Sequence, residues 1–151
     1  MLTKQITRDK IVIRLMEPED ISACLEVDRK ITGEGRAVTY DYVMTAELGG
    51  ELALSFIADF GGQVIGFIMA RRIYVGDPVA EIGLIQILGV DPAYQGQGVG
   101  VKLVNSVIDR CRAHGLKTIR VFINERDSKL RGIFQHLDFK HDQLVDYTKI
   151  L

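Results

Sequence analysis

Residues 94–100 read YQGQGVG: three glycines alternate with other residues just before an apolar stretch. Glycine lacks a Cβ and tolerates positive φ, so backbone amides in such a loop can converge on a ligand. The start of a helix adds unpaired N–H groups and the positive end of a dipole. Together these make an anion site, with phosphate the obvious occupant. The candidate ligand-binding positions are Gln95, Gly96, Gln97, Gly98, Val99, Gly100 and Val101. Two common phosphate loops fail on spacing. The G-x-G-x-x-G fingerprint fits at Gly96 and Gly98 and breaks at Val101. It also wants an acid about 20 residues on, where the chain has Ile119, Arg120 and Val121. The P-loop needs G-K-S/T, but Gly100 is followed by Val101, Lys102 and Leu103.

The elements around the loop can be read from hydrophobic spacing. Leu103, Val104, Val107, Ile108 and Cys111 recur at helical intervals, which predicts a helix over 99–114 stopped by Gly115. Upstream, residues 79–90 form a long, nearly continuous apolar run, the pattern of a central strand covered on both faces. Residues 117–123 read as the next strand, and 127–137 as a helix with Asp127 at its N-cap. Nearer the start, 10–16 is strand-like. A helix follows over 17–32, and a second short helix over 39–48 is stopped by Gly49 and Gly50. Residues 52–60 and 63–74 make a hairpin about Gly61-Gly62. The tail, 138–151, reads as one or two closing strands. The expected order is β-α-α-β-β-β-α-β-α-β(-β), a mixed α/β (α+β) fold with one right-handed crossover from the long strand through the loop and helix.

The totals agree with one domain, 1–151, able to bury a core without staples. A formal net charge of −1 disfavours nucleic acid as a partner. Cys24 and Cys111 fall inside helical patterns and read as reduced core residues. His114, His136 and His141 have no metal-ligand spacing, so no metal is expected. No apolar run approaches the ~18 residues of a membrane span, and the first ten residues lack a signal peptide's apolar segment, so the expected location is the cytoplasm.

The hexapeptide Gln95-Gly96-Gln97-Gly98-Val99-Gly100 resembles the R/Q-x-x-G-x-G/A signature of the GNAT superfamily of N-acetyltransferases. The lead-in VDPAYQ and the downstream NERDSKLRGIFQHLDF look like that family's flanking motifs, and the order of elements is similar over nearly the whole chain. The resemblance implies a central, mostly antiparallel sheet with two splayed parallel strands, 79–90 and 117–123, and acetyl-CoA between them. Loop amides from Gly96 to Val101 would take its pyrophosphate. The backbone of Leu88, Gly89 and Val90 would pair with the pantetheine, at a strand bulge expected near Gly89. The Leu88 N–H would serve as oxyanion donor, and Asp127 and Phe134 would lie against the cofactor. The acceptor would be a primary amine of a small molecule or a protein N-terminus, contacted from the loop 30–42 by Glu34, Arg36 and Tyr40.

The acid/base chemistry is less complete. An ammonium must lose a proton before it attacks, and the departing thiolate needs one. Three positions where relatives carry acid/base side chains are Leu84, Phe122 and Phe134 here, all apolar. Gln86 (through a water), Asp127 and Tyr147 are the substitutes on offer, although Asp127 also reads as a plain helix cap and Tyr147 as a plain strand aromatic. Proton transfer through water, or a protein that binds CoA or acyl-CoA and transfers little, are the other two readings. A homodimer is a further expectation, because proteins of this kind are commonly dimeric.

Overall fold

The computed structural model describes Lys4, residues 10–33, Leu48 and residues 53–151. The short helix expected over 39–48 and the candidate substrate residues Glu34, Arg36 and Tyr40 lie outside these.

Five strands form one mixed sheet in the order β1-β2-β3-β4-β5. They are β1 (Ile11–Leu15), β2 (Phe56–Phe60), β3 (Gln63–Val75), β4 (Ala80–Val90) and β5 (Ile119–Val121). Successive strands pair antiparallel except β4 and β5, which are parallel. The parallel pair needs a crossover, and α2 (Val99–Ala113) supplies it. α1 (Ile21–Thr32) lies between β1 and β2 in the chain, and α3 (Ser128–His136) follows β5.

The sheet has an apolar layer on each face. On one, α2 inserts Val99, Leu103, Val104 and Val107 against Leu54, Ile68 and Ile85, with Phe134 of α3 beside them. On the other, Ile21, Cys24 and Val27 of α1 cover Ile57, Phe67 and Met69. Each fully buried side chain of this kind contributes about 1.5–3 kcal/mol, so this two-sided burial fixes where β4 lies. β4 reads as a continuous apolar run because it faces both layers.

The ends of the helices are set locally. α2 stops in a Schellman arrangement: Leu116 N–H donates to the Cys111 carbonyl (2.9 Å) and Gly115 N–H to Arg112 (3.0 Å), with Gly115 at φ 77°. α1 begins after a 3-10 turn, Pro18–Asp20, where Asp20 accepts two hydrogen bonds from Arg14 (2.7 and 2.8 Å) and one from the Glu17 N–H. The Arg14 guanidinium holds the Asp20 carboxyl below its ordinary range, and the Glu17 amide adds to this.

Two expectations are corrected. Residues 138–151 form no strand and 140–151 are exposed throughout, so the closing strands are absent and Tyr147, placed on one of them by pattern, is 92% exposed. The bulge in β4 lies at Gln86, not Gly89: Met69 pairs with Ile87 and the next residue, Ala70, with Ile85, which leaves Gln86 as the extra residue.

Candidate functional site

The parallel pairing of β4 and β5 is short. Gly83 pairs with Ile119, Leu84 with Arg120 and Ile85 with Val121. β5 ends there, whereas β4 runs on from Gln86 to Val90 with no strand against that edge among the described residues. The two strands part at the bulge and leave a cleft lined on one side by a β4 edge that no strand pairs among the described residues. An extended ligand with amides of its own can add to such an edge. Leu88, Gly89 and Val90 are on this stretch. Glycine at 89 has a packing cause. A Cβ there would lie 2.8 Å from Phe67 Cε1 and 3.2 Å from Ile31 Cδ1, so the close approach of Phe67, beneath α1, excludes a side chain.

From Val90 the chain turns through Asp91, a 3-10 turn (Pro92–Tyr94) and the glycine loop into α2. Gly96 and Gly98 have φ of 76° and 84°, and a Cβ built on either would meet nothing within 4 Å. These glycines turn the chain, and nothing among the described residues fills the space above them. Gly100 differs. It is buried in the first turn of α2, and a Cβ there would lie 3.2 Å from Ile133 Cδ1 and 3.7 Å from Leu88 Cδ2. It lets α2 approach α3 and β4 closely.

Among the described residues no side chain caps the start of α2, and its first turn holds no acidic residue. Lys102 N–H makes an early helical bond to Gly98 (3.1 Å). The amides before it, from Val99 to Val101, belong to the helix's first turn, whose donors have no partner within the helix. A fifteen-residue helix whose N-terminus no side chain caps among the described residues has the geometry and the field for a diphosphate.

The glutamines of the motif have partners of their own. Gln95 Nε2 donates to the Val90 carbonyl (3.0 Å), which closes the loop onto the end of β4. Gln97 Nε2 donates to the Lys4 carbonyl (2.6 Å), and the Lys4 N–H in turn donates to Ala93 (2.7 Å). Sequence reasoning also missed Asp91 and Lys30. Asp91 is buried, accepts from the Ala93 N–H (2.9 Å) and forms an ion pair with Lys30 Nζ of α1 (3.0 Å). The Asp91-Pro92 step, a helix-start signal, was the available clue to half of this. The Lys30 contact spans 61 residues and leaves no local trace.

The remaining candidates are spread out. Gln86 is exposed at the bulge, on the cleft's edge. Asp127 caps α3, accepting from the Leu130 N–H at 3.1 Å. Phe134 is 3% exposed, its ring 5.0 Å from Phe139 in an edge-to-face contact. Phe122, just past β5, is 73% exposed. Tyr147 lies on the exposed tail, away from the buried neighbours of the loop. The structure ties Val90 to Gln95 and sets Leu88 beside Gly100, while Asp127 caps α3 and Tyr147 lies on the exposed tail. Among the described residues no group of three or more His, Cys, Asp or Glu side chains gathers as a metal site.

Comparison with known proteins bears on this geometry. The profile of the Acetyltransferase (GNAT) family matches residues 21–139. A mycothiol acetyltransferase from Nocardioides sp. is 29% identical over 107 residues, covering 65% of this chain and 36% of its own length. The chain thus spans little more than a third of that relative. An aminoglycoside N-acetyltransferase solved in complex with CoA superposes with a TM-score of 0.78 at 18% identity, over 99% of both chains. A ribosomal-protein-alanine N-acetyltransferase from Brucella melitensis biovar Abortus 2308 gives 0.74 at 12% identity, over 93% of this chain and 99% of that one. The structural likenesses speak to the fold. The family profile covers most of the sequence, including the open edge of β4 and the loop beyond it, and on that ground the chain belongs to the Acetyltransferase (GNAT) family.

Proposed function

We propose that the chain is an N-acetyltransferase that moves an acetyl group from acetyl-CoA to a primary amine of a small molecule or a protein N-terminus. One observation carries the reading: an unpaired β4 edge leads through Gly96 and Gly98 to an uncapped helix, so the backbone offers a strand for an extended amide chain and an anion site at its end. The residues fit CoA, with its diphosphate at one end and its amide-bearing pantetheine arm at the other. Acetyl-CoA supplies the activated acyl group as a thioester.

The chain's own groups do the rest. Amides from Gly96 to Val101 hold the diphosphate, and the backbone of Leu88, Gly89 and Val90 aligns the pantetheine. The Leu88 N–H donates to the thioester oxygen, where negative charge develops. The amine would then attack the thioester carbon directly in a ternary complex, the C–S bond breaking as CoA thiolate departs, and its alignment would supply much of the rate. Leu84, Phe122 and Phe134 hold no proton to give, so water takes the proton the amine loses and supplies the one the CoA thiolate gains, with Gln86 placed at the bulge to hold such a water. The relatives' names point to unlike acceptors: mycothiol, aminoglycosides and a ribosomal-protein alanine. We therefore assign the acceptor only as an amine. Cys24 and Cys111 are unpaired and buried, which suits a reducing compartment, and we place the reaction in the cytoplasm.

Calorimetry with CoA and a thiol-release assay over aminoglycosides, polyamines, amino acids and short peptides test the proposal. Binding together with amine-dependent thiol release is expected, and no heat at millimolar CoA would overturn it. The three apolar residues at the acid/base positions favour one second reading, a CoA- or acyl-CoA-binding module. That reading predicts binding with no thiol release for any amine.

A further inference from the structure

The glycine loop is short of charge. Residues 94–100 hold neither a basic nor an acidic side chain. Asp91, at the loop's root, is balanced by Lys30 (3.0 Å). Lys102, in the first turn of α2, is engaged in an interaction of its own. An uncapped helix end is equivalent to about half a positive charge, whereas a diphosphate ionises on both phosphoryl groups. The loop and helix alone leave part of that charge unmatched.

Lys4 is placed to match it. Its backbone is pinned to the loop at two points: the N–H donates to the Ala93 carbonyl (2.7 Å), and the carbonyl accepts from Gln97 Nε2 (2.6 Å). Gln97 stands between Gly96 and Gly98, where an added Cβ would meet nothing within 4 Å. Lys4 is exposed, and among the described residues its ammonium has no hydrogen-bond or ion-pair partner. We propose that Lys4 belongs to the diphosphate site. Its ammonium, on a flexible four-carbon stem, pairs with the CoA diphosphate held by the loop amides, and Gln97 keeps the lysine beside the loop. The inference rests on the reading that the loop takes CoA. It also accounts for Gln97, which occupies a position the R/Q-x-x-G-x-G/A signature leaves open to any residue.

Calorimetry with CoA on the full chain tests it. Lys4→Gln removes the charge and keeps both backbone hydrogen bonds. It should weaken CoA binding roughly fivefold in low salt, the upper range for an exposed ion pair. In about 1 M salt, where the Debye length falls to about 3 Å, the variant and the unaltered chain should bind alike. Lys4→Arg should restore the affinity, with the same Tm in all three proteins. Dephospho-CoA, which lacks the ribose phosphate, should show the same ratio between the variant and the unaltered chain. Pantetheine, which has no phosphate, should show no difference. In a Gln97→Leu background, Lys4→Gln should have a smaller effect, because the lysine is no longer held. Unchanged CoA affinity in Lys4→Gln, a loss that persists in high salt, a loss absent with dephospho-CoA, or a full effect in the Gln97→Leu background would each overturn the inference and leave CoA binding itself in place. An unaltered chain that binds no CoA would overturn the underlying reading as well.

Discussion

On the loop side of the cleft, Gly96 and Gly98 bring backbone to the surface, Gly89 and Gly100 admit close packing beneath it, and Gln95, Gln97, Asp91 and Lys30 tie that backbone down. On the β5 side the strand ends at Val121, Phe122 turns its ring to water and Phe134 is packed away in the core. One wall is built from amides held by a network of hydrogen bonds. The other has apolar residues, Phe122 exposed and Phe134 buried, at positions where the family resemblance expects acid/base side chains. Binding can rest on the first wall alone, because amides need no particular side chain. Under the proposed function, turnover would depend on what the second wall lacks and would rest on alignment and water.

The largest test of this contrast is Gly100→Val. Its Cβ would press on Ile133, and the added methyls would crowd Leu88 and Val90. Overpacking of this kind costs about 1–3 kcal/mol of stability, so a lower Tm together with lost CoA binding is expected. An unchanged Tm would show that the helix approach is looser than described. Gly98→Ala should separate binding from folding. The new Cβ meets nothing, but φ of 84° strains any L-residue by about 1–2 kcal/mol. CoA affinity should fall roughly tenfold by calorimetry, with the fold intact. Equal affinity would remove the loop from the diphosphate site.

Acid provides a control outside both walls. Arg14 lowers the folded-state pKa of Asp20, so this pair stabilises the fold above about pH 4. The contribution is lost as pH falls through the lowered value. Asp20→Asn should flatten that acid limb in denaturation curves and leave CoA affinity at pH 7 unchanged. Loss of affinity would link α1 to the cleft. The smallest expected effect on rate is that of Phe134→Tyr. The ring is buried against Phe139, so a new hydroxyl should lower Tm and leave kcat unchanged. A higher kcat would show that this ring reaches the thioester and that the proton limits turnover.

Much of this arrangement was legible in the sequence. The helix expected over 99–114 is found at 99–113, and the strands expected over 63–74 and 79–90 at 63–75 and 80–90. Long periodic segments with glycine stops leave little freedom. The tail misled because its β-rich pattern states a preference for pairing but not where the partner lies. The roles of Gln95 and Gln97 were hidden for another reason. Each donates to a backbone carbonyl, and any residue type supplies one. Gly89 was assigned a bulge when its cause is the ring of Phe67, a contact across strands that spacing along one strand cannot show.

The extra residue at Gln86 sets the phase of everything after it. Ile85 packs with the α2 layer and Ile87 with the α1 layer, two positions apart yet on opposite faces. Forcing Gln86 into a regular place in the ladder would keep the composition of β4 and invert its second half. Leu88 and Val90 would face α1, and Gly89 would lose its place over Phe67. A scan of substitutions along β4 should therefore show its tolerant and intolerant positions changing parity at residue 86.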